Sequence, residues 1–544
     1  MSGKTMRKAL SALVGLALAV TAVLPARGSS EPGRPLALSF SYAPDGNRSR
    51  TAYGVDEGKQ AAPPPAIRPN GGRGLFEIGI LLAYSQTRYW LNYAKFIEDW
   101  QFHFRWKDQQ RRFFTFEAWM FDSNAFGMNG SHSFSGVLYY QFGRTNNLSW
   151  PQSFLYALGG SLWWEYVTEW REVISLNDNI MTSAGGFAAG EAWFQLGKYF
   201  IGRKGLFEQF LSFAVNPLLK FNHWLDLTKG RNRLLGPEPG WHDFRLFFGQ
   251  KRMPTSAGTG TQNNLFFGFH TRIVHAPEYG RPERSARRVT DTLASDLDVD
   301  FTTRHGRIEE FNFATRVAGL GYYRQEIGPD ARGYAYYVGM GSAFSLFKKK
   351  SVSIYDSSSI PVKKGYDLHL EEPRRFTDKM AVAHVAGPVF DYTAFTPKSR
   401  LRLVLDAYLD FGLINAFALN PYSEAADLLG VKTTLLYYGY YYGIGTTLAS
   451  DLTYRYRALR LGGRLSYSTY GSIEGLDRFQ DEITDDFHMK DDRFAFRFET
   501  AVRLPGAPVE VLASYEGIGR HGAIKDVRRR DFEDRYTVYV CYTF

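Results

Sequence analysis

From about residue 240 to the C-terminus, apolar and polar residues alternate with a period of two, the spacing of strands with one greasy and one wet face. LRLVLDAYLDF puts Leu401, Leu403, Leu405, Ala407, Leu409 and Phe411 on one face and Arg402, Asp406 and Asp410 on the other. RLGGRLSYSTY sets Leu461, Leu465 and Tyr467 against Arg460, Arg464 and Ser466, and RFAFRFETAVRL sets Phe494, Phe496, Phe498, Val502 and Leu504 against Arg493, Arg497, Glu499 and Arg503. Each segment has about ten residues, the length at which a tilted strand crosses the hydrocarbon. The chain ends in YTVYVCYTF, where Tyr536, Val538, Val540, Tyr542 and Phe544 share a face and Cys541 takes the other. Such a strand suits the closing position of a barrel, with its apolar face to lipid and Cys541 to the lumen.

Connection lengths point the same way. Counting back from Phe544, 517–533 reads as long, LPGAP as short, 470–492 as long and the break near Ala458 as very short. That order predicts long loops on one side of a membrane and short turns on the other. The expected fold is mainly β: an outer-membrane antiparallel β-barrel of about 12–16 strands over 240–544.

Before residue 240 the texture differs. Residues 75–230 carry aromatic-rich amphipathic stretches such as PQSFLYALGGSLWWEYVTEW and GEAWFQLGKYFIG, broken by Asn and Gly, which predict helices. WQFHFRW and RFFTFEAWM are strand candidates. None has the run of about 18 apolar residues a spanning helix needs. Residues 29–73, including AAPPPAIRPNGGRG, lack a period and predict a disordered linker. Residues 1–28 have the form of a signal peptide: Lys4, Arg7 and Lys8, an apolar run over 9–24, and small residues suited to cleavage near Gly28. The helix-rich part is expected to plug the barrel lumen or cap its periplasmic mouth.

Composition agrees with lipid-facing strands. Aromatics are 16% of the chain, with 34 Tyr, 43 Phe and 53 Gly, yet mean hydropathy is −0.30. Alternation reconciles the two, because each apolar residue is averaged with a polar neighbour. The single cysteine, Cys541, rules out an intrachain disulfide and a cysteine-built zinc site. The formal charge of +10 suits acidic lipopolysaccharide or a charged lumen better than nucleic acid, which an exported chain seldom meets.

Residues 75–230 resemble the bacterial family known as domain of unknown function 3943. The resemblance is carried by FDSNAFGMNGSHSFSGVLYYQFGRTNNLSWPQSF, LGGSLWWEYVTEW, SLNDNIMTSAGGFAAGE and NPLLKFNHW. The family has a His-Pro pair where this chain has His132-Ser133, and Ile where it has Leu176. The resemblance implies a cell-envelope protein and no reaction.

Within this apolar region the polar residues carry the candidate chemistry. Glu165 and Glu169 are four apart and share a face on a helix. With His132 and Asp178 they could divide general acid and base work, and His132, Glu165, Glu169 and Glu191 could hold a divalent metal. Equally, Asn177 or Asp178 can cap a helix and Glu191 can pair with Arg144. A lipid hydrolase would use His132 with Ser133 or Ser135 and Asn147 as orienting partner. No phosphate-binding loop is present, and no cofactor beyond a metal is indicated. Two charged stretches, the acidic 474–492 and DVRRRDFEDR over 526–535, suit solvated outer loops, the second near lipopolysaccharide phosphate. The expected role is envelope maintenance or small-solute passage in the outer membrane, with lipid, lipopolysaccharide and the barrel-assembly machinery as partners. The alternative is a membrane-embedded hydrolase or metal-dependent enzyme acting through His132, Glu165 and Glu169.

Overall fold

The computed structural model describes residues 69–96, 105–115, 117–121, 126–201, 205–228, 240–254, 260–349, 378–425, 438–473 and 488–544. The expected signal peptide, most of the linker and the acidic stretch 474–487 lie outside them.

Twelve antiparallel strands close into a barrel: β3 (Trp241–Pro254), β4 (Thr261–Val274), β5 (Arg284–Arg304), β6 (Arg307–Ile327), β7 (Gly333–Lys349), β8 (Lys379–Phe395), β9 (Ser399–Asn415), β10 (Tyr440–Tyr456), β11 (Leu459–Ser472), β12 (Met489–Arg503), β13 (Val509–Ile524) and β14 (Val527–Thr543). The last strand closes on the first, with Tyr536 opposite Arg252 and Thr543 opposite Arg245. Closure gives each strand two neighbours, the condition for crossing lipid without an unpaired edge. The expected alternation holds around the wall. Phe248, Leu265, Leu405, Leu448, Leu465, Phe498 and Val538 point outward and are exposed, and Arg402, Asp406, Arg460, Arg464, Arg493, Arg497 and Cys541 point inward.

Connections depart from the expected lengths at one place. The turn between β13 and β14 is only Lys525-Asp526, and the presumed loop 517–533 is paired strand, Arg528, Arg529 and Arg530 facing Ala523, Gly522 and His521. Ladder hydrogen bonds join backbones, so pairing runs on where side chains turn charged. Asp491 and Asp492 likewise belong to β12. At the β5–β6 turn His305 and Gly306 have φ of 49° and 73°, the pair of positive values a two-residue hairpin of matching twist requires.

The helices are α1 (Gly71–Phe96), α2 (Trp106–Phe113), α3 (Phe126–Arg144), α4 (Trp150–Trp163), α5 (Leu176–Ile180), α6 (Gly186–Ile201), α7 (Leu206–Val215), α8 (Pro217–Thr228) and, beyond β9, α9 (Leu419–Ala425). GGRG therefore opens a helix and is not linker. Of the first strand candidate, 100–104 lie outside the described residues and Trp106 begins α2; of the second, among the described residues only β1 (Trp119–Met120) is a strand, paired in parallel with β2 (Ile174–Ser175). Two π-helical turns, Trp164–Thr168 and Met181–Gly185, follow α4 and α5. Among the described residues no helix is long and apolar enough to cross a membrane.

The helical region neither plugs the lumen nor caps its mouth: it is packed on the outer wall. Phe244, Thr271, Leu297, Thr315, Phe344, Ala383 and Phe411 are cross-strand partners in one row through β3 to β9. All have the parity of the outward residues, yet Phe244, Leu297, Phe344, Ala383 and Phe411 share a buried cluster with Met181, Ala184, Ala188 and Ala189 of the helical region. Phe134 of α3 meets Phe313 and Phe344 edge-on, Phe121 stacks on Phe411 at 5.8 Å, and Tyr199 and Phe200 of α6 meet Phe244. Tyr440 and Tyr442, also outward, take Asn129 as hydrogen-bond donor to their hydroxyls. The row begins near the start of β3 and finishes near the start of β10. Those strands run in opposite senses, so the layer reaches from one rim to the other.

Apolar packing without water to expel relies on close approach. At the crossing of α3 with the turn before α6, a Cβ on Gly136 would lie 1.8 Å from the Thr182 carbonyl oxygen and 2.9 Å from Gly186 Cα. Gly136→Val is therefore expected to unseat the helical layer while leaving the barrel closed. Limited trypsin digestion of the detergent-solubilised protein should cut faster at Lys198 and Lys220 with the heat-modifiable gel shift of the barrel retained; unchanged digestion would contradict this packing.

Candidate functional site

The polar residues singled out from the sequence lie in the helical layer, in two separate groups. In one, His132 Nε2 is 3.2 Å from Asp178 Oδ2. Through Nε2 the imidazole can donate to that carboxylate. Asp178 also accepts from Asn177 Nδ2 at 2.9 Å. The cap of α5 is neither Asn177 nor Asp178 but Ser175, whose hydroxyl accepts the Asp178 N–H. Glu165 accepts the Ser175 N–H at 2.8 Å, and Glu169, where the π-helical turn ends, accepts the Trp164 indole N–H at 2.9 Å. Glu165 and Glu169 thus serve local structure and do not converge on His132 in any bond of the structure.

The second group is a charge cluster where α3, α6 and the wall meet. Glu191 is fully buried and accepts from Arg144 Nε at 2.8 Å and Nη2 at 3.0 Å, from Tyr140 Oη at 2.6 Å, and from Thr292 Oγ1 of β5 at 2.6 Å, with Gln195 as a further donor. Arg144 also reaches Asp291 of β5 at 3.1 Å and lies over the Phe194 ring at 4.7 Å. A charge pair in an apolar layer needs its polar atoms engaged, and here all three guanidinium nitrogens and both carboxylate oxygens have partners. The expected Arg144 partnership of Glu191 is present; Glu191 is not a fourth ligand beside His132. Among the described residues no three His, Cys, Asp or Glu side chains converge as a metal set.

Ser133 faces Gly185 while His132 faces Asp178, since consecutive helical residues diverge by about 100°. The His132–Ser133 hydrolase reading therefore has no geometry behind it, and no bond links Ser135 or Asn147 to His132.

The lumen holds what the sequence could not assemble. At one rim the segment 275–283 folds inward, Tyr279 bonding Thr393 at 2.9 Å within a cluster that includes Val289, Tyr323, Tyr337 and Val389. At the other, α9 and its flanks pack Leu419 and Tyr422 on Val382, Ile414, Tyr441 and Tyr470, and Asp491 accepts from Phe417 N and Tyr441 Oη. Between these stoppers the strands are laced by ion pairs: Arg316 to Asp406 at 2.7 and 2.8 Å, Arg460 to Glu510 at 3.0 Å, Arg535 to Glu310 at 3.1 Å. A cavity of about 540 Å³ remains, with arginines outnumbering carboxylates along its wall. Ser345 and His384 line it, with Ser345 Oγ 3.2 Å from His384 Nε2 and His384 Nδ1 2.7 Å from Asp410 Oδ1. Sequence alternation places Asp410 on the wet face of its strand, but the residues are separated by 39 and 26 positions and only the register joins them.

Residues 118–218 match the domain of unknown function DUF3943. That segment holds the helix-layer groups, from β1 through α6 to the start of α8, and stops short of the barrel. Comparison with curated proteins returns no match. Among solved structures, a loop-deleted form of the Vibrio cholerae outer membrane protein OmpT is 9% identical, covering 56% of this chain and 99% of its own with a TM-score of 0.19. The translocator domain of the Neisseria meningitidis autotransporter NalP is 9% identical, with 61% and 98% covered and a TM-score of 0.18. A Pseudomonas aeruginosa FadL homologue is 9% identical, with 55% and 89% covered and a TM-score of 0.20. The barrel here is defined by its own register, independently of these likenesses.

One outcome tests the helix-layer site. Glu191→Gln leaves Arg144 buried with only Asp291 opposite, and is expected to cost about 3–5 kcal/mol, read as loss of the tryptophan-fluorescence transition of the helical layer at lower denaturant. An unchanged transition in Glu191→Gln would refute the assignment.

Proposed function

We propose that the protein is exported to the outer membrane, its residues 1–28 removed near Gly28, and that it maintains the envelope at its lipid-facing wall and does not conduct solute through its lumen. The observation that supports this is the helical layer on the outer wall. On that layer Leu138, Leu155, Trp163, Phe210, Phe213 and Trp224 stay exposed, continuing the apolar surface of the bare strands. An exposed apolar patch of this extent is costly in water and suited to lipid. Its buried polar groups, Glu191, Arg144, Asn129 and Asp178 among them, face each other or the wall, as side chains do in hydrocarbon. Passage of solute is the less favoured use, since inward-folded segments stand at both rims with ion pairs between them. Lipid and the phosphates of lipopolysaccharide are the fitting partners, the latter near Arg528 and Arg530 beyond the apolar band. The aromatic β14 suits recognition by the barrel-assembly machinery.

The test joins fractionation to conductance. The protein should appear in outer membranes with a gel mobility that changes on boiling, and in planar bilayers it should pass no steady current. Gly136→Val should remain silent too, because the helices do not block the lumen. Stable open steps from either form would overturn the reading in favour of a pore.

A further inference from the structure

Ser345, His384 and Asp410 come from the neighbouring strands β7, β8 and β9, on the lumen face. His384 pairs with Asp410 across β8 and β9, and a bulge follows it between His384 and Ala386. Bulges re-aim side chains and gather beside sites of chemistry. His384 is fixed at backbone and ring: its main-chain oxygen accepts the Ser342 hydroxyl at 2.9 Å, and its ring lies 5.4 Å from that of Tyr408. Asp410 is buried, with its second oxygen taken by Thr447 Oγ1 and by Tyr470 Oη at 3.3 Å. An ionised Asp410 accepts the Nδ1 proton, which leaves Nε2 as the acceptor for Ser345 Oγ–H. Nucleophile, base and orienting carboxylate thus stand in order, and two of the three line the cavity.

We propose that Ser345, His384 and Asp410 form an acyl-transfer site that hydrolyses a small anionic ester within the barrel. Ser345 Oγ attacks the ester carbonyl carbon as its proton passes to His384 Nε2. The acyl–oxygen bond to the alcohol then breaks, and the alcohol leaves with that proton. Water attacks the acyl-Ser345 ester, giving one proton to Nε2, and the proton returns to Ser345 Oγ as the acid departs. One ester and one water yield one acid and one alcohol.

The substrate class follows from the wall. A cavity of about 540 Å³ lies within the range that small-molecule sites occupy, and is too small for a two-chain lipid. Arg316, Arg402, Arg464 and Arg493 line it together with the nucleophile, and Arg493 lies 4.9 Å over the ring of Phe347, two residues from Ser345. A carboxylate- or phosphate-bearing ester meets that charge; a neutral one does not. This site is independent of the envelope role proposed above and shares no residue with the helical layer.

The experiment uses the full chain in detergent, taken from the fraction that shows the heat-dependent mobility. Diisopropyl fluorophosphate should add one adduct, mapped by mass to Ser345. Ser345→Ala should abolish it, and His384→Gln should slow it by at least about 100-fold with the gel shift unchanged. Mono-4-nitrophenyl succinate should be hydrolysed with a higher kcat/KM than 4-nitrophenyl acetate, and neither by Ser345→Ala. No adduct on the folded wild type, or equal labelling of Ser345→Ala, would reduce the three residues to a hydrogen-bonded brace between strands. Labelling at Ser345 with equal rates on the two esters would overturn the anionic substrate class.

Discussion

Closure of the sheet between β14 and β3 is the constraint on which the rest depends. Once Tyr536 stands opposite Arg252 and Thr543 opposite Arg245, the parity of every strand is set, because a slip of one residue would exchange the two faces of the wall. Parity puts Arg460, Arg497 and Arg535 inside, where each finds carboxylates, and Leu448, Phe498 and Val538 outside. The same parity creates the seat of the helices. Phe244 to Phe411 becomes a single outward row only because seven strands are in fixed register.

The helical layer solves a problem that a bare barrel does not face. Its helices carry Glu191, Arg144, Asn129 and His132, groups that hydrocarbon would expel singly. Packing against the wall lets strand residues finish their hydrogen bonds: Thr292 and Asp291 complete the Glu191–Arg144 cluster, and Tyr440 and Tyr442 accept from Asn129. Glycines at 136 and 186 bring backbones close enough for this, while the far side keeps leucines and aromatics. Where α3 and α6 meet the wall, polarity is therefore concentrated inward, the reverse of a water-soluble helical domain.

The strands, the closing role of YTVYVCYTF and the inward face of Cys541 were legible in the chain, because a period of two is a local property. So was the Arg144–Glu191 pairing, since both residues are charged in an apolar setting with few other partners to choose. The side of the wall on which the helices sit was not legible: amphipathic helices with aromatic faces suit a lumen, a mouth or an outer surface equally, and only the parity of Phe344 and Phe411 decides. Loop length misleads at 517–533 because a run of charge resembles a connection, although backbone pairing is indifferent to it. Ser345, His384 and Asp410 each look like an ordinary wet-face residue; their meeting is a consequence of register across two strand pairs.

Register also ties the stopper of one rim to the groups beneath it. Tyr470 packs in the apolar cluster with Leu419 and Tyr422 and at the same time bonds Asp410 through its hydroxyl. The α9 segment is anchored independently, through Phe417 to Asp491 and beneath the Arg529 guanidinium at 4.3 Å. A shift of α9 large enough to admit a molecule from that side would disturb the packing of Tyr470 and with it one of the bonds that orient Asp410. Thr447, which bonds Asp410 and Ser468 from neighbouring strands, stands outside that apolar cluster. Asp410 thus has a second strand-borne partner whose bond does not run through the packing of the stopper.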